Sequence, residues 1–335
     1  MRIGATASFS KRPDQTITQL ERLGADSFWM YEIFQGYEAF ARAGYLAAIT
    51  TRPRIAVGVV NSYSRHPAIT AMGASFLANL TGGRATLVIG VGGDSWVGGM
   101  LGYDQSKPRQ RFEEYMDILR SLLSGSQVAH HTSNFILNKV KLSPIPEHAV
   151  PIIVACEQPE MMKLAGRLAD GIYLEPSCCS IGYIRWVVQT IQESRRETRP
   201  FQVVANLPLR ITEDVEGARS AIKPMLAFHL SFPGEGELYL EKAGFPPSLA
   251  EEIGEASGVR RLLREKRSPL EAFEKGIEKA AEMVPDEFVD QCAVMGDLAT
   301  CKDRLTELER AGLTDVVFSF QDDQSENLKI LPGCS

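Results

Sequence analysis

The chain has 335 residues, 44% hydrophobic and 23% charged, with a formal net charge of −6. This is an ordinary globular composition, long enough for one large α/β barrel or for two smaller domains. The acidic balance argues against bulk binding to nucleic acid or to an anionic membrane surface, and no apolar run is long enough to span a bilayer.

The N-terminus runs directly into a strand-like pattern at 2–6 with no long apolar core before it. No signal peptide is read there, and the expected compartment is the cytoplasm. A second strand is expected at 26–31, with Trp29 in the core and Glu32 just past its end. The third, at 54–61, carries Ile55, Val57, Val59 and Val60, β-branched residues that suit a strand covered on both faces. Gly58 interrupts it, as a glycine does at a bulge or where something approaches the backbone. Asn61, Ser62 and Ser64 then supply turn chemistry, and Pro67 can open a helix at its first position.

The fourth strand, at 84–92, runs into Gly90-Val91-Gly92-Gly93-Asp94. The connection from 94 to 150 is longer than one helix needs; its clearest helix is 111–123, stopped by Gly125. A fifth strand at 151–156 leads through Cys156-Glu157-Gln158 into a helix at 160–169, with Pro159 as its first residue. The sixth strand, at 171–174, ends before Glu175-Pro176, and the seventh is expected at 201–211. Residues 212–295 read as several helices, at 213–230, 247–255, 258–266 and 270–283, with a breaker from Phe232 to Glu237. Asp297 caps a further helix, Gly312 closes it, and the eighth strand follows at 315–320. Eight strands alternating with helices predict a TIM barrel, (β/α)8, as one domain over 1–335 with 212–295 as a helical insertion between strands 7 and 8.

A barrel of this kind carries its site at the strand C-termini, which here supply Ser8, Phe9, Glu32, Asn61, Gly92, Gly93, Asp94, Cys156, Glu157, Glu175, Gln321 and Asp322. The glycine turn at 90–94 lets a flat ligand or a phosphate near the main chain, or is simply a tight turn. It is not a dinucleotide fingerprint, because Ser95 stands where a third glycine belongs. Free N–H groups where Cys156-Glu157-Gln158 enters a helix can hold a phosphate, or Glu157 or Gln158 can cap that helix. Glu32 and Glu175 make a glycosidase pair conceivable, but nothing in the sequence sets their separation. Arg65 and His66 either touch a ligand or, respectively, pair with a carboxylate and cap the next helix. The six cysteines form no C-x-x-C pair and read as free thiols; His130-His131 reads as a polar loop.

Four segments carry a family resemblance: Val57 to Pro67, Leu80 to Gly92, Val150 to Ala155 with Leu164 to Gly171, and Gly312 to Val317. Together they resemble the bacterial luciferase-like superfamily of flavin and deazaflavin oxidoreductases, and most of all its methylenetetrahydromethanopterin reductase group. The resemblance implies a ring cofactor at the strand C-termini, coenzyme F-420 or alternatively FMN. It implies a bulge with a non-proline cis peptide at Gly58–Val59 backing the ring, Glu32 and Asn61 lining the pocket, and Gly92-Gly93-Asp94 beside it. Ala155, Cys156, Glu157 and Gln158 would hold the phosphate, and Glu32 and Asp94 would transfer or orient protons. The implied activity is hydride transfer with a small organic substrate. The alternatives are an FMN monooxygenase using oxygen and a non-catalytic flavin-binding barrel. A homodimer through barrel helices is implied as well. The chain departs from the pattern in three places. Cys156-Glu157-Gln158 lacks the usual glycine, Ser62 replaces a common proline, and Ile33 stands where some members carry a proton-donating histidine.

Overall fold

The computed structural model describes residues 1–7, 13–32, 36–92, 97–98, 101–174, 177–195, 199–320 and 325–334. Eight strands, each read from a short β-rich run, pair only with parallel neighbours and close on themselves. In chain order they are β1 (Arg2–Thr6), β2 (Ser27–Met30), β3 (Arg54–Asn61) and β4 (Ala85–Gly90), then β7 (Ile152–Ala155), β8 (Gly171–Leu174), β9 (Gln202–Asn206) and β12 (Asp315–Phe318). Between β4 and β7 stands an antiparallel hairpin, β5 (Val128–His131) with β6 (Ile136–Val140). A two-stranded parallel pair, β10 (Leu209–Ile211) with β11 (Val294–Gly296), lies outside the barrel.

The helices around the barrel are α1 (Pro13–Arg22), α2 (Ala39–Ile49), α3 (Pro67–Thr81), α4 (Pro108–Leu123), α5 (Pro159–Leu168), α6 (Ile181–Ser194) and α14 (Leu298–Ala311). Proline opens α3, α4 and α5, where its fixed φ is pre-set and its missing N–H costs nothing. Asp297 caps α14, accepting from the Thr300 N–H at 2.7 Å, and Gly312 ends it at φ 114°. Between β10 and β11 run α7 (Val215–Leu230), α8 (Glu235–Ala243), α9 (Leu249–Ala256), α10 (Val259–Arg264), α11 (Ala272–Lys275), α12 (Ile277–Glu282) and α13 (Asp286–Cys292). Among the described residues, no helix is long and apolar enough to cross a membrane.

Four expectations need correction. The seventh strand ends at Asn206, not 211, because Pro208 has no N–H for the ladder. The chain leaves the barrel there, and β10 pairs with β11 while Asn327 bonds its backbone at Leu209 and Ile211. The 94–150 connection holds a hairpin, and His130 is a strand residue whose Nε2 meets the Glu114 carboxylate at 3.2 Å. The breaker at 232–237 does end α7, but α8 opens at once, with the Glu237 carboxylate accepting the Gly234 N–H at 2.7 Å. The single helix expected at 270–283 is interrupted at Gly276, and α13 was not anticipated.

Alternate residues point into the barrel, and they fill it. Trp29, Tyr31, Ala56, Val88, Ile153, Tyr173, Val204 and Val317 form one inner cluster, separate from the larger core between strands and helices. Trp29 stacks on Tyr173 with ring centroids 5.0 Å apart, and Tyr31 and Tyr173 share a hydroxyl hydrogen bond of 2.7 Å. Gly4 makes room for this layer: a Cβ there would lie 2.4 Å from Ser27 Oγ.

An ion cluster closes the N-terminal end. The buried Asp315 carboxylate accepts two bonds from Arg2, at 2.8 and 2.7 Å, and one from Arg54, which also bonds Gln202 at 2.8 Å. Burial pushes the Asp315 carboxyl up, but the Arg2 hydrogen bond and the Arg54 charge outweigh it, so the group ionises below its ordinary range. Its contribution to stability is therefore complete above the unfolded value of about 3.9 and is lost as pH falls through the folded one. Asp315→Ala is expected to cost about 3 kcal/mol, the low end for a broken buried pair because Arg2 is half exposed. Urea denaturation at pH 7 checks this, and a change below about 0.5 kcal/mol would contradict it.

Candidate active site

The C-terminal mouth of the barrel is shaped by one extra residue. Strands β3 and β4 run in register from Ile55–Ala85 to Val57–Leu87, then resume at Val60–Ile89, so three steps on β3 face two on β4. This is a β-bulge, and the Gly58–Val59 peptide within it is cis. Gly58 has φ 134°, and a Cβ there would lie 2.0 Å from the Val88 carbonyl oxygen, so no other residue fits this backbone.

The bulge sets Val59 against the inner aromatic layer, where it remains half-buried beside the equally half-buried Ala155 at the end of β7. Gly90 lies under Val59: a Cβ there would sit 2.6 Å from Val59 Cγ1. Gly92, at φ 82°, lies against Asn61, whose Nδ2 would be 2.0 Å from a Cβ at that position. Asn61 Oδ1 accepts from the Tyr63 N–H at 2.7 Å, which fixes the turn after β3. Gln105 reaches in from the long 94–150 connection and donates to the Gly92 carbonyl at 3.0 Å. The arrangement is a flat apolar floor, Val59 and Ala155, bordered by main chain that carries no side chain at 90 and 92.

A charged wall stands beside this floor. Arg65 donates to Glu32 at 2.9 Å, also pairs with Glu38, and lies over the Phe40 ring at 4.8 Å. Burial raises the Glu32 carboxyl above its ordinary range, and Arg65 offsets only part of that rise. His66 caps α3, its Nδ1 accepting from the Ala68 N–H at 3.2 Å. Burial and the neighbouring Arg111 charge push the imidazole below its usual value. Of the two readings of Arg65 and His66, carboxylate pairing and helix capping are therefore the ones observed.

The segment after β7 is different in character. Cys156 is buried, and burial together with the adjacent Glu157 pushes its thiol well up. Gln158 is the N-cap residue of α5 but makes no side-chain capping bond. Its amide instead hydrogen-bonds Glu235, the first residue of α8, a partner 77 positions away (235 − 158) that the sequence did not suggest. Gly93 and Asp94 lie outside the described residues, as do Ser8, Phe9, Ser95, Trp96, Glu175, Gln321 and Asp322. Gln105, Arg65 and Glu235 complete the mouth; among them only Arg65 had been singled out in the sequence.

Comparison with known proteins places this geometry. The model of the luciferase-like monooxygenase family matches residues 11–315. A 5,10-methylenetetrahydromethanopterin reductase of Archaeoglobus fulgidus is 28% identical over 300 residues, 89% of this chain and 86% of that protein. The solved coenzyme F-420-dependent tetrahydromethanopterin reductase of Methanopyrus kandleri superposes with a TM-score of 0.77 at 20% identity, covering 99% and 96% of the two chains. An F-420-dependent secondary alcohol dehydrogenase, solved with an F-420–acetone adduct, superposes with a TM-score of 0.75 at 17% identity, covering 100% and 99%. At these identities the two solved structures establish the shared barrel fold.

Removing the Arg65 charge isolates the environment of Glu32. A carboxyl raised in the folded state stabilises the fold below its unfolded pKa of about 4.3, and that contribution is lost as pH rises through the folded value. Arg65→Ala is expected to move the Glu32 titration higher and to extend this window upward. Side-chain carboxyl NMR reads it; an unshifted or lowered Glu32 titration would contradict the pairing.

Proposed function

We propose that this chain, which belongs to the luciferase-like monooxygenase family, is an oxidoreductase that moves a hydride between coenzyme F-420 and a small organic substrate. The carrying observation is the bulged β3 with side-chain-free Gly90 and Gly92, a floor that suits a planar tricyclic ring. The names of the Archaeoglobus and Methanopyrus reductases support the deazaflavin over other rings. When bound, the deazaflavin supplies the hydride chemistry.

The protein's part is placement and proton control. Val59 and Ala155 back the ring, and Gly58, Gly90 and Gly92 keep Cβ atoms off its path. Asn61 holds the turn that brings the Gly92 main chain alongside. Glu32 is the proton-transferring or orienting group, since burial raises its carboxyl toward the range useful near neutral pH. Asp94 and Gly93 belong to the same wall in this reading. Helices α7 to α13, within 212–295, close over the substrate as an insertion in a single barrel domain.

The family's own description favours a second reading, a monooxygenase using reduced FMN and oxygen. Substrate-dependent oxidation or reduction of F-420 without oxygen consumption is expected. Oxygen uptake with reduced FMN, and no redox change of F-420 with any alcohol, ketone or imine donor or acceptor, would establish the second reading instead.

The protein is also proposed to be a homodimer. Ile69, Met72, Phe76 and Leu80 follow one another at three- and four-residue spacing along the outer face of α3, each 44–60% exposed. A contiguous apolar stripe of this size favours a partner over solvent, and a second copy offers the same stripe in return. Phe76→Glu is expected to convert the dimer to a monomer in sedimentation velocity with the circular dichroism spectrum unchanged. A wild-type protein that sediments as a monomer would contradict it.

A further inference from the structure

The tail end of the mouth does not suit a phosphate as well as the floor suits a ring. Two helices present their N-termini here, α5 straight after β7 and α8 from the stretch after α7. Helix N-termini favour anions, but this chain has already placed carboxylates at both. Gln158, at the start of α5, hydrogen-bonds Glu235, at the start of α8. Glu157 and Glu235 both act electrostatically on the hydroxyls of Tyr183 and Tyr239.

Those two tyrosines supply an independent observation. Both are fully buried, their rings meet edge to face at 5.0 Å, and neither hydroxyl has a hydrogen-bond partner. A buried hydroxyl left unpaired is costly, and a native structure usually explains each such group. The ionisable groups acting most strongly on them are Glu157, Glu235, each other and the thiols of Cys156, Cys178 and Cys179, none of them cationic. Hydroxyl donors next to carboxylate acceptors match a ligand rich in neutral hydroxyls, which can both accept and donate. They do not match a doubly charged anion.

Resting on the ring site proposed above, we propose that Glu157 and Glu235 act as a charge filter on the cofactor's tail. The site takes a ring whose side chain is a neutral polyol or carries a singly charged phosphodiester, and it disfavours a terminal phosphate. FMN ends in a phosphate monoester, close to two negative charges at neutral pH because its second ionisation lies near 6. The phosphodiester of F-420 carries one, and riboflavin carries none. One added charge a few ångströms from a carboxylate weakens binding on the order of tenfold at an effective dielectric of about 20.

The test compares FMN with riboflavin, which share one ring and differ in the phosphate. Dissociation constants are read by flavin fluorescence at pH 7.5 for the wild type, Glu157→Gln, Glu235→Gln and the double variant. The wild type is expected to bind riboflavin at least as tightly as FMN. The double variant is expected to tighten FMN by about tenfold while riboflavin moves less than about threefold. A wild type that prefers FMN over riboflavin by more than about tenfold overturns the filter, as do FMN and riboflavin constants that shift together. Should the double variant not fold, the wild-type ratio decides alone. A wild type that binds none of F-420, FMN and riboflavin overturns the ring reading and the filter together. Rings that bind with the wrong ratio overturn only the filter.

Discussion

The close packing of the Gly58 backbone on the Val88 carbonyl governs the mouth of this barrel. One extra residue must be absorbed in β3 without losing the ladder to β4, and Gly58 has the only side chain small enough to let it happen. Everything else at the mouth follows from where that residue goes. Val59 is set over the aromatic layer, Gly90 must stay bare beneath it, and Asn61 is brought against Gly92. The opposite end of the barrel is held differently, by the buried Asp315 carboxylate between Arg2 and Arg54. One end of the cylinder is thus closed by charge, and the other is left flat and largely apolar.

The mouth is asymmetric in its electrostatics as well. On the β2–β3 side, Glu32 is partly neutralised by Arg65, and burial still raises its carboxyl. Beyond β7, Glu157 and Glu235 meet buried tyrosine hydroxyls and the Gln158 amide, with no cation among the groups acting most strongly on those hydroxyls. A ligand lying across the floor therefore meets a salt-bridged carboxylate at one side and negative charge at the other. This contrast separates the roles proposed for the two sides, proton control and discrimination among tails.

Much of the fold could be read in the sequence because barrel strands buried on both faces are short β-branched runs, and their helices carry caps such as Asp297 and Gly312. The β5–β6 hairpin was not legible, since its residues alternate between half-buried and exposed and read as a polar loop. The break after Asn206 was missed because Leu209–Ile211 continues the same apolar pattern; only Pro208 signals that the ladder ends. Helix α8 was hidden behind Pro233 and Gly234, which are stop signals for α7. At the site, Gly58 and Gly92 announced themselves as glycines in strand and turn contexts. Gln105 and Glu235 did not, because each reaches the mouth from a distant segment and nothing local marks it.

The central claim is that the bulged third strand supports a planar redox ring on Val59 and Ala155. A crystal structure of the protein with F-420 bound measures this most directly. The account predicts the ring in van der Waals contact with both side chains, across the strand C-termini and beside the Gly92 main chain. A ring bound elsewhere, or a β3 that pairs with β4 in unbroken register, would contradict it.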